Sequence, residues 1–270
     1  MKVGIFDSGI GGLSVLHHAM KVMPQTHFLY YADREHVPYG EKTVEEIRGF
    51  VEEILNFFIE KQVDAVLIAC NTATSVSDME FRSRFPVPIV GMEPAVKKAV
   101  EQYHEENSRI LVAATPVTIA GNKLHLLLDR VDREHEVDLI ALPGLVRFAE
   151  AGEFDSSQVD AYLRQELSQF DLNRYGTVVL GCTHFNYFKR NFCRIFPGNV
   201  DFVDGKGGSI RQLLRLLHQE EASDCSHQVD YYFSGKPASE TELKQIEMYL
   251  TRLEEMYQIY RRKANAKHFL

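Results

Sequence analysis

The sequence predicts an α/β protein with two parallel-sheet domains that face each other. Residues 63–68 and 177–180 are short β-branched, apolar runs, which is the composition of strands buried on both faces of a parallel sheet. Strands that alternate with helical segments of this length are typical of parallel α/β sheets. A chain of 270 residues can form one large domain or two modest ones, and the repeated strand–thiol pattern described below favours two.

The first half of the chain alternates strands with helices. Residues 3–6 are predicted to form the first strand, and residues 9–12 a tight turn into a helix. Thr43 and Glu46 have the spacing of a capping box, so a helix is expected to begin there. The remaining segments predicted in this half are a strand at 28–31, a strand at 63–69, a helix to about Arg84, a strand at 86–91 and a helix from about Pro94.

The second half repeats this alternation. Its predicted segments are strands at 109–113, 137–141, 177–180, 200–203 and 229–233, and helices at 157–169, at 187–195 and from 208. A last helix begins at a second capping box, formed by Ser239 and Glu242. Four apolar residues at helical spacing are expected to face the core from it: Leu243, Ile246, Leu250 and Leu253.

Composition excludes several classes of protein. The formal net charge of −8 argues against nucleic acid as the main partner and leaves room for a basic pocket that holds a small acid. The N-terminus lacks the pattern of a signal peptide, and no apolar stretch approaches the roughly 18 residues of a membrane span. The four cysteines show no CxxC spacing, so we expect free thiols in a reducing cytoplasm.

Two of the cysteines occupy equivalent places in the two halves. Cys70 and Cys182 each follow a predicted buried strand, at the end where α/β sheets bind ligands. A thiol at the N-terminus of the next helix is expected to have a lowered pKa, so it can act as a general base or a nucleophile. Cys193, on a predicted helix, and Cys225, in a polar loop, are expected to be structural.

Nucleotide and metal sites fit the sequence less well. The glycine-rich turn at residues 9–12 fails the dinucleotide pattern, because Ser14 stands where its third glycine belongs. Residues 205–207 lack the spacing of a P-loop. Cys182 and His184 could contribute to a zinc site, but no second pair of ligands has the required spacing. We therefore expect no metal and no cofactor.

The paired thiols favour inversion of a carbon centre. Cys182 with His184 could instead be a nucleophile for acyl transfer, but that reaction leaves the second thiol unexplained. Inversion needs two bases, one to remove a proton from one face of the carbon and another to return a proton to the opposite face. Asn71, Thr72 and Thr183 lie beside the thiols in sequence and can hydrogen-bond a carboxylate and an amine.

At these residues the chain resembles the glutamate racemases, cofactor-independent enzymes of the aspartate/glutamate racemase superfamily. The matching stretches span most of the chain in family order. They are residues 3–12 (VGIFDSGIGG), 37–40 (VPYG), 69–74 (ACNTAT), 93–94 (EP), 114–118 (ATPVT) and 180–184 (LGCTH).

The resemblance implies a role for each matching residue. Cys70 and Cys182 would be the two acid/base thiols, assisted by Asp7 and His184 respectively, with Glu150 as a further polar group near the second thiol. The residues that would hold the substrate are Ser8, Tyr39, Gly40, Asn71, Thr72, Thr183, Thr115 and Thr118. The family's architecture would place residues 1–97 and 209–270 in one domain and 98–208 in another, related by a pseudo-twofold axis with the active site between them.

The sequence departs from the family at residues 185–186. The family commonly has an aromatic residue and proline there, whereas this chain has Phe185 and Asn186. We expect the start of the following helix to be looser and Cys182 to shift slightly.

The implied activity is the interconversion of L- and D-glutamate, which supplies D-glutamate for peptidoglycan. A racemase for aspartate or another acid, a thiol hydrolase and a non-catalytic amino-acid-binding module stay open as alternatives. We expect a cytoplasmic protein with glutamate as its small-molecule partner, and without nucleic-acid or membrane partners. A homodimer stays open.

Racemisation is expected to proceed without an added cofactor, because two thiols can perform both proton transfers. Dialysis against EDTA and removal of pyridoxal phosphate should leave the rate unchanged. Activity that returns only when a metal ion or pyridoxal phosphate is added back would contradict this expectation.

Overall fold

The structure is a computed structural model, and its chain divides into two compact units. One unit comprises Met1–Glu93 and Gly205–Leu250, and the other comprises Pro94–Asp204 and Thr251–Leu270. The residues that the structure describes are 1–23, 25–92, 94–102, 108–197, 200–222 and 226–267.

Ten strands lie within the described residues. In chain order they are β1 (Lys2–Asp7), β2 (Thr26–Ala32), β3 (Ala65–Ile68), β4 (Ile89–Gly91), β5 (Arg109–Ala114), β6 (Val137–Ala141), β7 (Tyr175–Leu180), β8 (Asp201–Val203), β9 (His227–Phe233) and β10 (Lys236–Pro237).

Four strands of the first sheet have the same order as the four strands of the second. The first unit has the order β10-β9-β2-β1-β3-β4, and the second has β6-β5-β7-β8. In both units the first strand of the unit therefore lies between its second and third strands. All described pairs are parallel except the short edge pair β9–β10, which is antiparallel. The predicted α/β class with parallel sheets is confirmed, apart from this edge.

The described residues also form twelve α-helices and four 3₁₀ helices. The α-helices are α1 (Leu13–Val22), α2 (Val44–Glu60), α3 (Asn71–Val76), α4 (Met79–Ser83), α5 (Val96–Gln102), α6 (Pro116–Ala120), α7 (Asn122–Val131), α8 (Pro143–Glu150), α9 (Ser157–Leu167), α10 (Lys189–Ile195), α11 (Lys206–Leu216) and α12 (Glu240–Lys267). The 3₁₀ helices are Ile10–Gly12, Tyr39–Glu41, Leu172–Arg174 and Thr183–Phe188.

Both predicted capping boxes are present. The Thr43 hydroxyl accepts from the Glu46 N–H while the Glu46 carboxylate accepts from the Thr43 N–H, which fixes the start of α2. Ser239 and Glu242 make the same reciprocal pair before α12. The expected inward face of α12 is correct at Ile246 and Leu253, which are buried, but Leu243 is exposed.

Several helices differ from the sequence-based expectation. The single helix predicted after Cys70 is two short ones, because Ser77 adopts an extended backbone and Asp78 caps a new helix by accepting from Phe81 N–H. The sequence analysis also missed α6, α7 and α8. Pro116 and Pro143 stand at the first turns of α6 and α8, where the absence of an N–H donor costs nothing.

The last helix is divided between the compact units at residue 250. Residues after this point belong with the second unit because Arg252 donates to the Tyr187 carbonyl and to the Asp155 carboxylate. The sequence-based domains, 1–97 with 209–270 and 98–208, differ from the units here. The domain boundaries, the facing arrangement and the pseudo-twofold relation stay predictions.

The strands that lead to the cysteines are buried. In the first unit every residue of β3 is buried, and β1 beside it is buried from Val3 onward. In the second unit Val96, Ile110 and Val179 belong to a core cluster. Within the described part of the chain, no helix is long and apolar enough to cross a membrane.

Candidate active site

The first thiol lies at the carboxyl end of β3. Cys70 is buried and is the N-cap residue of α3, where its sulfur accepts a hydrogen bond from the Ala73 N–H at 3.4 Å. The same sulfur lies 3.7 Å from the Ser8 hydroxyl. A backbone donor at a helix start favours negative charge on the group it contacts, so this contact suits a thiolate.

The carboxylate of Asp7 lies at the end of the neighbouring strand β1. It is fully buried, and its Oδ1 accepts from the Gly9 N–H at 3.1 Å and from the Ser8 hydroxyl at 3.5 Å. A Cβ atom at Gly12 would lie 2.5 Å from the Asp7 Cβ, so the turn after β1 requires glycine there. Because β1 and β3 pair in parallel, Asp7, Ser8 and Cys70 come together at one edge of the sheet.

The loop after β2 is tied to this edge through Asp33. The buried carboxylate of Asp33 accepts from the Tyr39 hydroxyl at 2.6 Å and lies 2.9 Å from His36 Nδ1, while its N–H donates to the Asp7 carbonyl. Burial, the charge and hydrogen bond of Asp33, and the nearby Cys70 raise the pKa of Tyr39 far above its usual value. Tyr39 is therefore a protonated donor at neutral pH, and it fixes the 3₁₀ turn that contains Gly40.

Two polar residues follow the first thiol directly. Asn71 and Thr72 are buried in the first turn of α3. The Asn71 amide donates to the Met92 carbonyl at 3.4 Å, which ties the start of α3 to the segment after β4. The structure therefore holds both residues within one turn of Cys70.

The second thiol lies just beyond β7. Cys182 is buried and precedes a 3₁₀ helix rather than the α-helical start that surrounds Cys70. A Cβ atom at Gly181 would lie 3.0 Å from the Ala113 carbonyl, so glycine lets the end of β7 pack closely against β5. The Cys182 sulfur lies 3.7 Å from His184 Nδ1. The Cys182 sulfur is thus contacted by an imidazole, whereas the Cys70 sulfur is contacted by a backbone N–H.

His184 bridges this thiol and a carboxylate. Its Nε2 lies 2.6 Å from Glu150 Oε1, at the end of α8. Burial lowers the pKa of His184, but the hydrogen bonds and negative charges of Cys182 and Glu150 outweigh burial and raise this pKa well above its usual value. This shift favours the imidazolium form of His184, which would donate from one ring nitrogen to Glu150 and from the other to the Cys182 sulfur.

Polar residues also follow β5 and Cys182. Thr115 is the N-cap residue of α6, and its hydroxyl donates to the Thr118 hydroxyl at 3.0 Å. Both threonines are buried, as is Thr183. Thr115 stands directly after β5, next to β7 in the sheet, so its hydroxyl lies at the same edge as Cys182.

Asn186 supplies a bond of its own at the position where the resemblance implies proline. It is buried in the 3₁₀ helix Thr183–Phe188, and its amide donates to the Thr183 carbonyl at 3.3 Å. This bond closes the turn by side-chain contact. The predicted small shift of Cys182 stays a prediction.

Known proteins match nearly the whole chain. A family model described as Asp/Glu/Hydantoin racemase matches residues 14–206. The chain is 48% identical to a glutamate racemase of Lachnospira eligens over 265 residues, which cover 96% of this chain and 100% of that protein. The chain belongs to the Asp/Glu/Hydantoin racemase family.

Solved structures of this family share the fold. A glutamate racemase from Campylobacter jejuni subsp. jejuni superposes with a TM-score of 0.77 at 28% identity, over 93% of this chain and 98% of that one. The Escherichia coli glutamate racemase, solved in complex with L-glutamate and the activator UDP-MurNAc-Ala, superposes with a TM-score of 0.76 at 28% identity, over 93% and 94% of the two chains.

The structure of this family member brings the expected residues together in two groups, one in each unit. The first group comprises Asp7, Ser8, Tyr39, Gly40, Cys70, Asn71 and Thr72. The second comprises Thr115, Thr118, Cys182, Thr183 and His184, with Glu150 as their partner. Cys193 lies half-buried in α10 and forms no disulfide. Cys225 and Glu93 lie outside the described residues. Within the described ranges, no group of three His, Cys, Asp or Glu side chains converges to hold a metal ion.

Sequence reasoning missed Asp33, which fixes Tyr39. The sequence signal was the position of Asp33 immediately after β2, because polar residues at the carboxyl ends of parallel strands lie where α/β sheets bind ligands.

Glu150→Gln is expected to lower the pKa of His184, because the carboxylate that opposes the effect of burial is removed. The measurement is a titration of the His184 ring nitrogens by ¹⁵N NMR, with the signal assigned by its loss in His184→Asn. Glu153→Gln, at an exposed neighbouring position, is the matched control and should leave the pKa unchanged.

The interactions of His184 should also make the stability of the fold depend on pH. Because the pKa of His184 is higher in the folded protein than in the unfolded chain, its protonation stabilises the fold below the unfolded value near 6.5, and this stabilisation is lost as the pH rises through the folded pKa. The loss should be smaller in Glu150→Gln than in the wild type. An identical His184 titration in both proteins would contradict the assigned contact.

Proposed function

We propose that this protein interconverts L- and D-glutamate by removing the α-proton from one face of the carbon and returning a proton to the other. The observation that carries the proposal is the repeated thiol: Cys70 and Cys182 each follow the third strand of a sheet with the same strand order. Relatives named glutamate racemase, matched over nearly the full chain, support glutamate as the substrate. The D-glutamate formed would supply peptidoglycan synthesis.

Each thiol serves one enantiomer in this mechanism. Cys182 as a thiolate removes the α-proton of L-glutamate, and Cys70 as a thiol then donates a proton to the opposite face. For D-glutamate the roles reverse. Neither step needs a cofactor, because each proton moves between a sulfur and the α-carbon.

The groups beside each thiol control its proton. His184, bonded to Glu150, lies 3.7 Å from the Cys182 sulfur and donates a hydrogen bond to it when that sulfur carries negative charge. The Ala73 N–H stabilises the Cys70 thiolate in the same way, and Asp7, linked to Cys70 through Ser8, assists proton transfer there. The two thiols are thus supported by different chemistry.

The polar residues around the thiols bind the substrate. Asn71, Thr72 and Thr183 offer hydrogen bonds to the α-carboxylate and the amine, together with Ser8. Thr115 and Thr118 extend this polar surface near Cys182. The backbone of the turn at Tyr39 and Gly40 binds the distal carboxylate, because successive N–H groups of such a turn can hold an anion.

We further propose that the protein works in the cytoplasm on free glutamate, without nucleic-acid or membrane partners. Within the described residues Cys70, Cys182 and Cys193 form no disulfide, which suits a reducing compartment. The net charge of −8 disfavours polyanions.

Replacing either thiol should stop racemisation in both directions, because inversion needs both proton transfers. In Cys182→Ala and Cys70→Ala the loss should exceed the roughly 10²–10⁴-fold loss typical of one acid/base group, since no other group is assigned to replace the sulfur. Exchange of the α-proton should persist selectively: Cys182→Ala on D-glutamate and Cys70→Ala on L-glutamate. The measurement is deuterium incorporation from D₂O with each enantiomer.

Cys193→Ala is the matched control for these variants and should be near neutral for turnover, as should Cys225→Ala. If Cys182→Ala still racemises well, or if one thiol controls exchange of both enantiomers, the two-base mechanism is wrong. A single-thiol nucleophile built on Cys182 and His184 would then be the better interpretation.

Glutamate should be preferred over aspartate by at least about tenfold in kcat/KM. The shorter side chain of aspartate moves its distal carboxylate away from the turn at Tyr39 and Gly40, and one misplaced charged hydrogen bond costs about 1.4 kcal/mol or more. Steady-state kinetics with both acids measure the ratio. Equal values would favour a racemase of broader or different substrate choice.

A further inference from the structure

The segment after α8 packs against the 3₁₀ helix that carries His184. Two contacts join them: the Glu150–His184 bond of 2.6 Å, and the rings of Phe154 and Tyr187, which stack with centroids 5.0 Å apart and an interplanar angle of 23°. Two short segments thus hold the carboxylate and the imidazole that act on Cys182. Their relative position sets the geometry of that pair.

Arg252, from α12, bonds to both of these segments. Its Nε donates to the Tyr187 carbonyl at 3.2 Å, while Nη1 and Nη2 donate to the two oxygens of Asp155 at 2.7 and 3.1 Å. Its guanidinium carbon lies 5.5 Å from the centroid of the Phe154 ring. Only 8% of the Arg252 side chain is exposed, so its donors lie within the packed protein, whereas 45% of the Asp155 side chain is exposed.

The backbone that carries Arg252 is itself held in place. Leu253 and Met256, beside it and one turn further along α12, are buried, with 4% and 1% exposure. The planar guanidinium therefore projects from a packed helix. A planar fork with fixed donors sets both the distance and the orientation of the groups it joins, which a single ammonium cannot do.

We propose that Arg252 is a positioning residue for proton transfer at Cys182. It clamps the Tyr187 carbonyl, three residues after His184, to Asp155, five residues after Glu150, and so sets the contact between the imidazolium and the carboxylate. The inference rests on the proposed racemisation and adds a residue that the catalytic groups do not include. Misplacement by about 1 Å can cost up to about 10²-fold in rate, so the clamp has a measurable effect.

The test compares Arg252→Met and Arg252→Lys with Arg190→Ala. Arg252→Met keeps an apolar chain over Phe154 and removes the donors. Arg252→Lys keeps the positive charge but replaces the planar guanidinium with a single ammonium. Arg190 is the matched control, because it also pairs with Asp155, at 3.6 Å, but 41% of its side chain is exposed. Circular dichroism and thermal melting establish that each variant folds.

The expected loss is in turnover. In Arg252→Met, kcat should fall about 10- to 100-fold in both directions with KM within about threefold. Arg252→Lys should recover part of the loss, and Arg190→Ala should stay within about twofold of the wild type.

Isotope effects separate positioning of Cys182 from general damage. When the Cys182 steps become slower, the effect of α-deuterium on kcat/KM should rise for L-glutamate, whose proton Cys182 removes. It should fall towards unity for D-glutamate, because removal by Cys70 is then followed by a slower donation from Cys182. A merely structural loss would lower the amount of active protein and leave both isotope effects as in the wild type.

Each outcome supports or overturns the proposed role of Arg252. Isotope effects that stay at the wild-type values or change equally for both enantiomers, or an Arg190→Ala loss as large as that of Arg252→Met, overturn the role of Arg252. If Arg252→Met does not fold, Arg252→Lys and Asp155→Asn carry the same test, since each weakens one side of the clamp. If the wild-type protein racemises neither enantiomer, the proposed function is overturned, and the role of Arg252 with it. If the wild type racemises glutamate but the variants do not change the isotope effects in opposite directions for the two enantiomers, only the role of Arg252 is overturned.

Discussion

The chemistry of this fold depends on one constraint, the close packing of parallel strands at the carboxyl edge of each sheet. The third strand of a unit lies directly beside the first, so the residues that follow them are neighbours. In one unit this brings Asp7 and Ser8 to Cys70, and in the other it brings Thr115 to the edge where Cys182 lies. Gly12 and Gly181 permit the approach, because a Cβ atom would lie 2.5 Å from the Asp7 Cβ at the first position and 3.0 Å from the Ala113 carbonyl at the second.

The same strand order supports two unlike thiols. The Cys70 sulfur accepts from a backbone N–H at the start of α3, whereas the Cys182 sulfur faces the imidazole of His184, which is bonded to Glu150. A backbone donor carries a fixed dipole, but an imidazolium carries a full charge that depends on its partner and on pH. The two proton transfers of one reaction would therefore respond differently to pH and to substitution, although the thiols occupy equivalent positions.

Sequence patterns predicted nine of the ten described strands, both capping boxes and the two thiols at the strand ends, because periodicity and local hydrogen bonding determine them; they missed β10 and Asp33. They did not predict α8 or the exposure of Leu243, since these depend on what each helix packs against. Arg252 could not be found from sequence either: its partners at Asp155 and Tyr187 are close to it only after folding. Local rules thus located the thiols, and tertiary contacts supplied the groups that hold them.

The most direct measurement follows both hydrogen isotopes in the initial phase of the reaction catalysed by the wild-type protein. L-glutamate is incubated in D₂O, and the first few per cent of D-glutamate formed is separated and examined for deuterium at Cα, along with the remaining L-glutamate. Two thiols acting from opposite faces predict product that carries deuterium from the outset while the remaining substrate keeps its protium. Early D-glutamate that retains the substrate's own proton would show one base acting on both faces, and would contradict the account.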